Sequence, residues 1–533
     1  MLTLTSMMIR AEQISGARPA IVDPEGTFTW TQFMDRVRRA AGMLQSLGVT
    51  RGDRFGIIAR NSFRQAELMH AGYWMGAIPV PGNYRLAPAE LAYIFDNAEC
   101  ELVVVEDFFA GLIADDELKP WAGDPLWLVT PDSEAPGKSP GKSYDQLLES
   151  AEPAAMHQPK SEDEDAILLY TGGTTGRSKG VRLSHRNVIA NGLQTAFAMR
   201  PNRHDVYLHV APMFHSADLF GTTYTLAGGA HAFLPQFSGK AALTAIQDLG
   251  VTQLMLTPTM VIMTLQEPDF ATYDLSKLRA LFYGSSPMDA VWIERMIKAY
   301  EGVEVIQGYG LTETAPILTM MAHEDHIRAI ETGELDQLRS CGQPVPMVEM
   351  EICDADGNAV PPGEPGEIVV RAPNGSTNGY LKRPKETSEA FRDGWFHTGD
   401  VARMDEAGFV YLLDRMKDMV ITGGENVYTS EVEAALYKHE QVHECAVVGV
   451  PDDKYGEALL AAVVPVPGAT LGEEDLIAHC RAHIGGYKIP RRYVFLGELP
   501  KSAMNKILKN ELRATYGGEG SAKASAPRAK ANA

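Results

Sequence analysis

The chain has 533 residues, of which 48 are basic and 69 acidic, so its formal net charge is −21 with histidine neutral. At about 100–200 residues per domain, this length predicts at least two domains and excludes a single small module. The composition, 45% hydrophobic and 22% charged, is typical of a globular protein and excludes global disorder. Because the acidic excess repels phosphates and anionic lipid surfaces, we expect no nucleic-acid partner.

Features that govern targeting favour the cytoplasm. The start of the chain has no basic segment before its short apolar stretch and no small-residue cleavage site, so no secretory signal is predicted. No stretch approaches the roughly 18 uncharged apolar residues of a membrane span, so no transmembrane segment is expected. The five cysteines lack CxxC spacing and fit neither a disulfide framework nor a zinc site. A homodimer is left open.

Helical and strand patterns alternate in the first part of the chain. Residues 33–47 place apolar side chains on one helical face, and residues 55–59 form a short apolar strand. The same order recurs at residues 91–96 and 101–105, and a second such stretch runs from about 167 to 320. This alternation predicts an α/β fold with a largely parallel sheet.

The next part of the chain is β-rich and then α+β. Alternating runs at residues 348–352 and 367–371, separated by turns, predict β-hairpins. Further along, Ser430 and Glu433 fit a capping box at the start of a helix. A strand is predicted at residues 446–450. The change of pattern predicts a separate, smaller domain.

One loop carries the clearest chemical signal. A buried strand leads into a run of glycines and threonines, and Lys179 follows before the next strand. Glycines let backbone N–H groups approach phosphate oxygens, threonine hydroxyls add donors, and the lysine supplies positive charge. The loop therefore suits a polyphosphate, whereas a flexible surface turn needs far fewer such residues. The loop residues are Thr171, Gly172, Gly173, Thr174, Thr175 and Gly176.

The phosphate loop of kinases and GTPases is excluded. That motif, G-x-x-x-x-G-K-[ST], runs directly into a helix. Here Arg177 and Ser178 separate Gly176 from Lys179, and a β-prone segment precedes the predicted helix N-cap at Ser184. The loop differs in both spacing and context.

The loop resembles that of the adenylate-forming superfamily, which comprises acyl-CoA synthetases, aryl-CoA ligases, luciferases and the adenylation domains of peptide synthetases. The family loop reads Tyr-Thr-Ser-Gly-Thr-Thr-Gly-x-Pro-Lys-Gly, and this chain departs from it at Gly172 and Ser178. The first departure removes one hydroxyl donor. Six further motifs follow in the family's order, and the resemblance covers about residues 29–513.

Two of these motifs would surround the acid. By resemblance, His215 lines and gates the acyl pocket, the alternative being a core histidine bonded to a backbone carbonyl. The loop after Tyr283 would border both adenine and the acyl group, unless it is a plain turn. The residues of that loop are Gly284, Ser285 and Ser286.

The motif at residues 307–316 is more specific. The resemblance implies that Tyr309 packs on adenine, that Thr312 contacts the α-phosphate and that Glu313 binds Mg²⁺. A hard cation beside a triphosphate takes one or two carboxylates and completes its shell with waters. A core tyrosine and a solvated carboxylate are the alternatives. The nucleotide-binding residues of this motif would be Gln307, Gly308, Tyr309 and Gly310.

Later motifs imply a ribose site, a hinge and a thiol tunnel. Asp400 would hold the ribose hydroxyls as an acceptor-only carboxylate, with Arg415 as its ion-pair partner. Lys417 would be the hinge about which the C-terminal domain rotates between two half-reactions. Gly423 and Gly424 would line the tunnel for the pantetheine thiol, where a missing Cβ leaves room. A structural ion pair and a tight turn are alternatives that can coexist with these roles.

The last motif contains Lys506, which by resemblance is catalytic and bridges the substrate carboxylate and the α-phosphate. The family glycine before it is Asn505 here. Asparagine tolerates a left-handed backbone better than most residues, so the loop can survive the change. A solvent-exposed lysine in a basic segment is the alternative.

The resemblance implies an α/β fold with two domains. Residues 1–414 would form a large adenylation domain of two α/β sheets and a β-rich subdomain, which holds ATP and the acyl pocket. Residues 415–418 would be the hinge, and residues 419–515 a smaller, mobile α+β domain. The Ala-, Gly-, Ser- and Lys-rich residues 516–533 are predicted to be a disordered tail.

The implied activity is AMP-forming activation of a small-molecule carboxylic acid with ATP and Mg²⁺, followed by transfer to coenzyme A. CoA is the expected acceptor because no carrier-protein or condensation segment follows the last motif. Apolar residues near His215 favour a fatty acid of medium or longer chain, with aryl or arylalkanoic acids as the alternative. These residues are Met213, Phe214, Leu219 and Phe220.

Other function classes stay open. An acyl-AMP ligase that loads a carrier protein would exchange pyrophosphate without dependence on CoA. A non-catalytic acyl or nucleotide sensor would bind ATP without forming an adenylate. Luciferase-type oxidation of the adenylate is a further outcome that the fold allows.

Overall fold

The computed structural model describes most of the chain. The described residues are 1–113, 116–118, 126–128, 142–171, 177–375, 378–423, 425–452, 454–501 and 507–517. Within these ranges, no helix combines the length and the apolar composition needed to cross a bilayer. The predicted disordered tail lies outside the described residues from 518 onward.

The chain divides into two compact units. The larger unit consists of Met1–Glu351, Val369–His397 and Asp405–Tyr411. The smaller unit consists of Ile352–Ile368, Thr398–Met404 and Leu412–Ala533. The predicted hinge at residues 415–418 falls inside the last of these segments, and its hinge role stays a prediction.

The strands are numbered in chain order. The first thirteen are β1 (Pro19–Asp23), β2 (Gly26–Thr29), β3 (Arg54–Ile58), β4 (Ile78–Pro81), β5 (Cys100–Glu106), β6 (Leu126–Leu128), β7 (Lys142–Ser143), β8 (Asp165–Thr171), β9 (Lys179–Ser184), β10 (Val206–His209), β11 (Ala230–Phe233), β12 (Gln253–Leu256) and β13 (Ala280–Gly284). The others are β14 (Glu304–Gly310), β15 (Ile317–Met321), β16 (Gln343–Pro344), β17 (Glu349–Cys353), β18 (Gly366–Arg371), β19 (Phe391–Arg392), β20 (Trp395–Met404), β21 (Val410–Arg415), β22 (Val420–Thr422), β23 (Glu425–Val427), β24 (Val442–Asp452), β25 (Gly456–Pro465) and β26 (Arg492–Phe495).

The α-helices occur between these strands. They are Leu4–Ser15, Trp30–Ser46, Phe63–Met75, Pro88–Ala98, Ala110–Ile113, Tyr144–Ser150, His185–Met199, Gly221–Ala227, Gly239–Leu249, Pro258–Leu265, Ala290–Ala299, His323–Thr332, Pro384–Ala390, Thr429–Tyr437, Glu473–His483 and Lys509–Tyr516. Many begin at a Ser or Thr whose hydroxyl accepts a hydrogen bond from the first turn, as at Thr29, Ser62 and Ser184.

The largest sheet has nine strands in the order β16-β15-β14-β13-β12-β10-β11-β1-β2. Its centre, from β11 through β10, β12 and β13 to β14, is parallel, as the alternation of helices and strands predicts. Every residue of β12 and β13 is buried, which is typical of strands covered on both faces. A second, parallel sheet has the order β4-β3-β5-β6-β7. These two sheets confirm the predicted α/β part of the fold.

The β-rich part follows. The predicted hairpin segments are strands β17 and β18, which belong to a five-stranded sheet with β19, β20 and β21. In the smaller unit, β22 to β26 form another sheet of order β23-β22-β25-β24, with β26 beside β25. Its strands and three helices form the predicted α+β domain. The fold class is confirmed.

The predicted capping box at Ser430 and Glu433 is wrong, although the helix itself is present. The helix begins at Thr429, whose backbone N–H and hydroxyl both donate to Asp414 Oδ2, at 2.5 and 2.7 Å. Glu433 instead accepts hydrogen bonds from Lys509 and from the backbone N–H of Val447. The Asp414 carboxylate of strand β21 therefore accepts the hydrogen bonds at the start of this helix. Glu433, which the local sequence offers for that role, bonds to other groups.

Candidate active site

The predicted phosphate loop connects two antiparallel strands. Thr171, the last residue of β8, pairs with Lys179, the first residue of β9. Both residues are half-buried. The loop residues Gly172 to Gly176 lie outside the described ranges. The hairpin therefore holds Thr171 and Lys179 side by side at the base of the loop.

Lys179 and Glu313 meet at Tyr380. The Lys179 ammonium lies 5.1 Å from the centroid of the Tyr380 ring, within the range of a cation–π interaction. The Tyr380 hydroxyl donates a hydrogen bond to Glu313 Oε1 at 2.8 Å. The structure thus brings together the lysine predicted to bind phosphate and the carboxylate predicted to bind Mg²⁺.

Buried amide side chains fix the segment that carries Glu313. Asn374 is fully buried and donates hydrogen bonds to the carbonyl oxygens of Thr314 and Ile317, both at 2.6 Å. Gln194 in turn donates to Asn374 Oδ1 at 3.0 Å. An unpaired buried polar group costs about 1–3 kcal/mol, so such a network disfavours other conformations of this segment. The backbone on either side of Glu313 is therefore held by residues distant in sequence.

Thr312 and the segment after His215 are also in contact. Thr312 Oγ1 lies 3.1 Å from Ser216 Oγ in a buried contact. His215 is half-buried, and its Nδ1 accepts a hydrogen bond from the backbone N–H of Ala217 at 3.2 Å. This contact caps the 3₁₀ turn Ser216–Phe220. The gating role of His215 stays a prediction.

Glycines bring the ends of β13 and β14 into close contact. Gly284 and Gly308 are paired in register, and a Cβ on Gly284 would lie 2.5 Å from the Gly308 carbonyl oxygen. The next residue, Ser285, has a φ of 75° and is exposed, as is Ser286. A serine with positive φ is uncommon and marks a sharp change of chain direction.

We expect Gly284→Ala to destabilise the protein by about 1–3 kcal/mol, because overpacking against backbone atoms forces the strands apart. The midpoint and slope of urea unfolding measure this change. Gly497→Ala is the matched control, since a Cβ at Gly497 meets no atom within 4 Å. Equal midpoints for the two variants would contradict the close packing of β13 on β14.

Gln307 presents an unsatisfied buried group. The residue is 8% exposed, and its Oε1 has no hydrogen-bond partner among the residues that the structure describes. Such an atom is stabilised if a bound molecule donates an N–H to it. Tyr309 and Gly310, at the end of the same strand, are half-buried.

The smaller unit contains the aspartate predicted to bind ribose. Arg415 Nε lies 2.6 Å from Asp400 Oδ1, so the predicted ion pair is present. The Asp400 side chain is 6% exposed, whereas that of Arg415 is 48% exposed. The arginine therefore compensates a carboxylate that would be costly to bury alone.

Other predicted residues of the smaller unit lie in turns. Lys417 is exposed between β21 and β22, and the adjacent Asp418 pairs with Arg513 at 2.6 Å. Gly423 has a φ of 62°, a conformation that favours glycine. Two further predicted residues, Gly424 and Lys506, lie outside the described ranges.

The apolar residues that favoured a fatty acid are core residues. Met213, Phe214, Leu219 and Phe220 are each 6% exposed or less. Met213 and Leu219 belong to one core cluster, and the ring of Phe220 packs on Phe282 with centroids 4.4 Å apart. Because these side chains are buried, their apolar character alone gives no argument for a long acyl chain.

The sequence analysis missed three residues of this site, namely Ser216, Asn374 and Tyr380. Tyr380 is 67 positions from Glu313, and Asn374 is 60 positions from Thr314. No local periodicity relates residues so far apart. Asn374 and Tyr380 each belong to an Asn-Gly or Gly-Tyr pair, and such pairs by themselves indicate only a turn. The place of both residues in the site is therefore visible only in the folded chain.

Comparisons with known proteins cover nearly the whole chain. Residues 10–381 match the AMP-binding enzyme family, and residues 431–506 match the AMP-binding enzyme C-terminal domain. The chain is 34% identical to a feruloyl-CoA synthase from Amycolatopsis sp. over 96% of this chain and 99% of the relative. It is 32% identical to a fatty acid–[acyl-carrier-protein] ligase from Streptomyces coeruleorubidus over 95% of each chain.

A solved structure has the same fold. It is that of o-succinylbenzoate CoA synthetase from Bacillus subtilis in complex with its acyl-adenylate intermediate. The TM-score is 0.82 and the identity 27%, over 95% of this chain and 97% of that one. The resemblance inferred from the motifs is thereby confirmed. The chain belongs to the AMP-binding enzymes of the adenylate-forming superfamily, and it is an AMP-forming acid–thiol ligase.

Proposed function

We propose that the enzyme joins an aryl or arylalkanoic carboxylic acid to coenzyme A, while ATP is cleaved to AMP and pyrophosphate. The cluster of Lys179, Tyr380 and Glu313 carries the ATP part of this proposal. It places an ammonium and a carboxylate next to the base of the phosphate loop. A cation for phosphate oxygens and an oxygen ligand for Mg²⁺ are what an ATP-cleaving site requires.

Other residues support binding of the nucleoside. The buried Oε1 of Gln307 can accept a hydrogen bond from the amino group of adenine. We assign the exposed Ser285 and Ser286, which follow Gly284 at the end of β13, to the border of the base. We assign Asp400 to the ribose hydroxyls, since an ionised carboxylate accepts hydrogen bonds from both.

The donor set of the site fits Mg²⁺. Glu313 offers a carboxylate, the hard oxygen donor that this ion prefers. Among the described residues, no group of three or more His, Cys, Asp and Glu side chains is arranged to hold a metal ion. An ion held by Glu313 would therefore complete its shell with phosphate oxygens and waters. When bound, Mg²⁺ supplies charge neutralisation on the phosphates.

The proposed reaction has two steps. A carboxylate oxygen of the acid attacks the α-phosphorus of ATP, the bond to the bridging oxygen breaks, and pyrophosphate leaves. Lys179 would hold phosphate oxygens, while Thr312 and Lys506 would stabilise charge developing on the α-phosphoryl group. The CoA sulfur then attacks the acyl carbonyl carbon, and its thiol proton passes to solvent. The bond between that carbon and the phosphate oxygen breaks, and AMP leaves. We assign Lys417 to the hinge and residues 423–424 to the path of the pantetheine arm.

An aryl acid replaces the fatty acid that the sequence favoured. Feruloyl-CoA synthase and o-succinylbenzoate CoA synthetase are named for aromatic acids. The four apolar side chains behind the fatty-acid expectation are part of the core. The names of these relatives support an acid with an aromatic ring, and the burial of the four side chains removes the argument for a fatty acid.

A pyrophosphate-release assay tests the acid class. Cinnamic and benzoic acids are compared with medium- and long-chain fatty acids, each with and without CoA. We expect CoA-dependent turnover of at least one aryl acid, with kcat/KM at least about tenfold above that of any fatty acid. A higher kcat/KM for a fatty acid would overturn the aryl proposal. ATP binding without pyrophosphate release with any acid would indicate a sensor.

A second candidate is supported by the similarity to the fatty acid–[acyl-carrier-protein] ligase. In this case the thiol acceptor is a phosphopantetheinylated carrier protein in place of CoA. Acyl transfer to a holo carrier protein and to free CoA is measured side by side with the same acid. Transfer to the carrier protein alone would favour this candidate.

A further inference from the structure

The main chain of Tyr380 is tied to the strand that begins at Lys179. Tyr380 forms an antiparallel bridge with Val181 of β9. The backbone N–H of Leu381 donates to the carbonyl of Gly180 at 2.8 Å. The tyrosine therefore lies at a fixed position along the strand that follows the phosphate loop.

A second set of contacts fixes Tyr380 from the other side. Its backbone N–H donates to Thr387 Oγ1 at 3.0 Å, and that hydroxyl donates to the carbonyl of Arg383 at 2.8 Å. Thr387 lies in the helix Pro384–Ala390 and packs closely against Gly379, whose φ is 69°. The backbone of Tyr380 is therefore held between a strand and a helix.

The side chain of Tyr380 contacts two opposite charges with different parts of its surface. The ring faces the Lys179 ammonium at 5.1 Å, and the hydroxyl donates to Glu313 Oε1 at 2.8 Å. Opposite charges near one side chain attract each other. A direct ion pair between them would occupy the groups that a triphosphate and its metal ion need.

We propose that Tyr380 is a positioning residue for the metal–triphosphate complex. Its hydroxyl orients the Glu313 carboxylate toward Mg²⁺, and its ring keeps the Lys179 ammonium available to phosphate oxygens. This inference rests on the proposed function, because it assumes that ATP and Mg²⁺ bind at this site. It predicts that the two parts of the tyrosine have separable effects.

Two substitutions separate the hydroxyl from the ring, and ATP binding to the full chain is measured by calorimetry without acid. For Tyr380→Phe we expect the Kd for ATP in excess Mg²⁺ to rise roughly tenfold, since one hydrogen bond to a charged group is lost. In EDTA its Kd should change by less than about twofold, because the ring still faces Lys179. For Tyr380→Leu we expect a higher Kd under both conditions.

The matched control is Tyr144→Phe. Tyr144 donates the same type of hydrogen bond, at 2.9 Å to Glu67 Oε2, in the core of the larger unit. We expect this substitution to lower the unfolding midpoint without changing the effect of Mg²⁺ on ATP affinity. All binding is measured at a temperature below the unfolding transition of every variant, so that each protein is folded.

The possible failures are distinguishable. Wild-type protein that binds no ATP would contradict the proposed function. Wild-type ATP binding that does not depend on Mg²⁺ would contradict the metal site at Glu313 and with it the positioning role. If the wild type shows Mg²⁺-dependent binding and Tyr380→Phe matches it, the positioning role is overturned. An equal rise of the Kd for ATP in Tyr380→Phe with Mg²⁺ and with EDTA would also overturn it. The hydroxyl would then affect ATP binding by a route other than the orientation of Glu313 toward Mg²⁺.

Discussion

Replacing Glu313 by glutamine is expected to slow adenylate formation by about 100-fold or more, as removal of one charge-stabilising group at a reacting centre does in other enzymes. Glutamine keeps the shape of the side chain and can still accept the hydrogen bond from Tyr380. It lacks the negative charge that a Mg²⁺ ligand supplies. The loss should therefore come from the metal–triphosphate complex and leave the fold intact.

Acid-dependent exchange of pyrophosphate into ATP measures this step, at several Mg²⁺ concentrations. We expect Glu313→Gln to need more Mg²⁺ for its residual activity than the wild type does. Glu304→Gln is the control, because Glu304 begins the strand β14 and pairs with Arg200 away from the cluster. If Glu313→Gln exchanges pyrophosphate at the wild-type rate, Glu313 has no role in adenylate formation.

Lys506→Ala is expected to reduce adenylate formation by about 100- to 1000-fold, because the lysine would stabilise charge on the α-phosphoryl group in the transition state. Transfer of the acyl group from a chemically prepared acyl adenylate to the thiol should change little, because this step begins after pyrophosphate has left. The two half-reactions are therefore measured separately, by pyrophosphate exchange and by thioester formation from the supplied adenylate.

The control for this variant is Lys501→Ala. Lys501 lies on the same segment and forms an ion pair with Glu444 at 2.5 Å, where both side chains are partly exposed. A partly exposed pair of this type contributes at most about 1 kcal/mol, so both half-reactions should persist. Equal loss of both half-reactions in the Lys506 variant would argue against a role confined to adenylation.

Local patterns predicted the elements of the fold well. The apolar face at residues 33–47 corresponds to the helix Trp30–Ser46, and the apolar run at 101–105 to the strand Cys100–Glu106. Both predictions depend on side chains a few positions apart, which periodicity records directly. The Ser430 and Glu433 capping box failed because the competing partners, Asp414 and Lys509, come from other parts of the chain.

The candidate site was predictable only in part, for a related reason. The resemblance located Glu313 and the ion pair of Asp400 with Arg415, since each lies in a contiguous motif. The residues next to Tyr380 in the sequence indicate no binding or catalytic role. Its contacts with Lys179 and Glu313 exist only because β9 and the segment at residues 379–381 pair in the folded chain. The expectation of a fatty acid depended on apolar residues, and an apolar sequence does not distinguish a pocket wall from a core.

The ion pair between Lys509 and Glu433 bears on how the protein is shortened or fused. The Glu433 side chain is 19% exposed, and burial raises its pKa although the Lys509 ammonium, 2.8 Å away, favours the charged form. Lys509 begins the helix Lys509–Tyr516, whose Leu512 is fully buried. Removing this helix would leave a largely buried carboxylate without its cation and open a gap in the core. A shortened or fused chain should therefore keep the helix Lys509–Tyr516 intact.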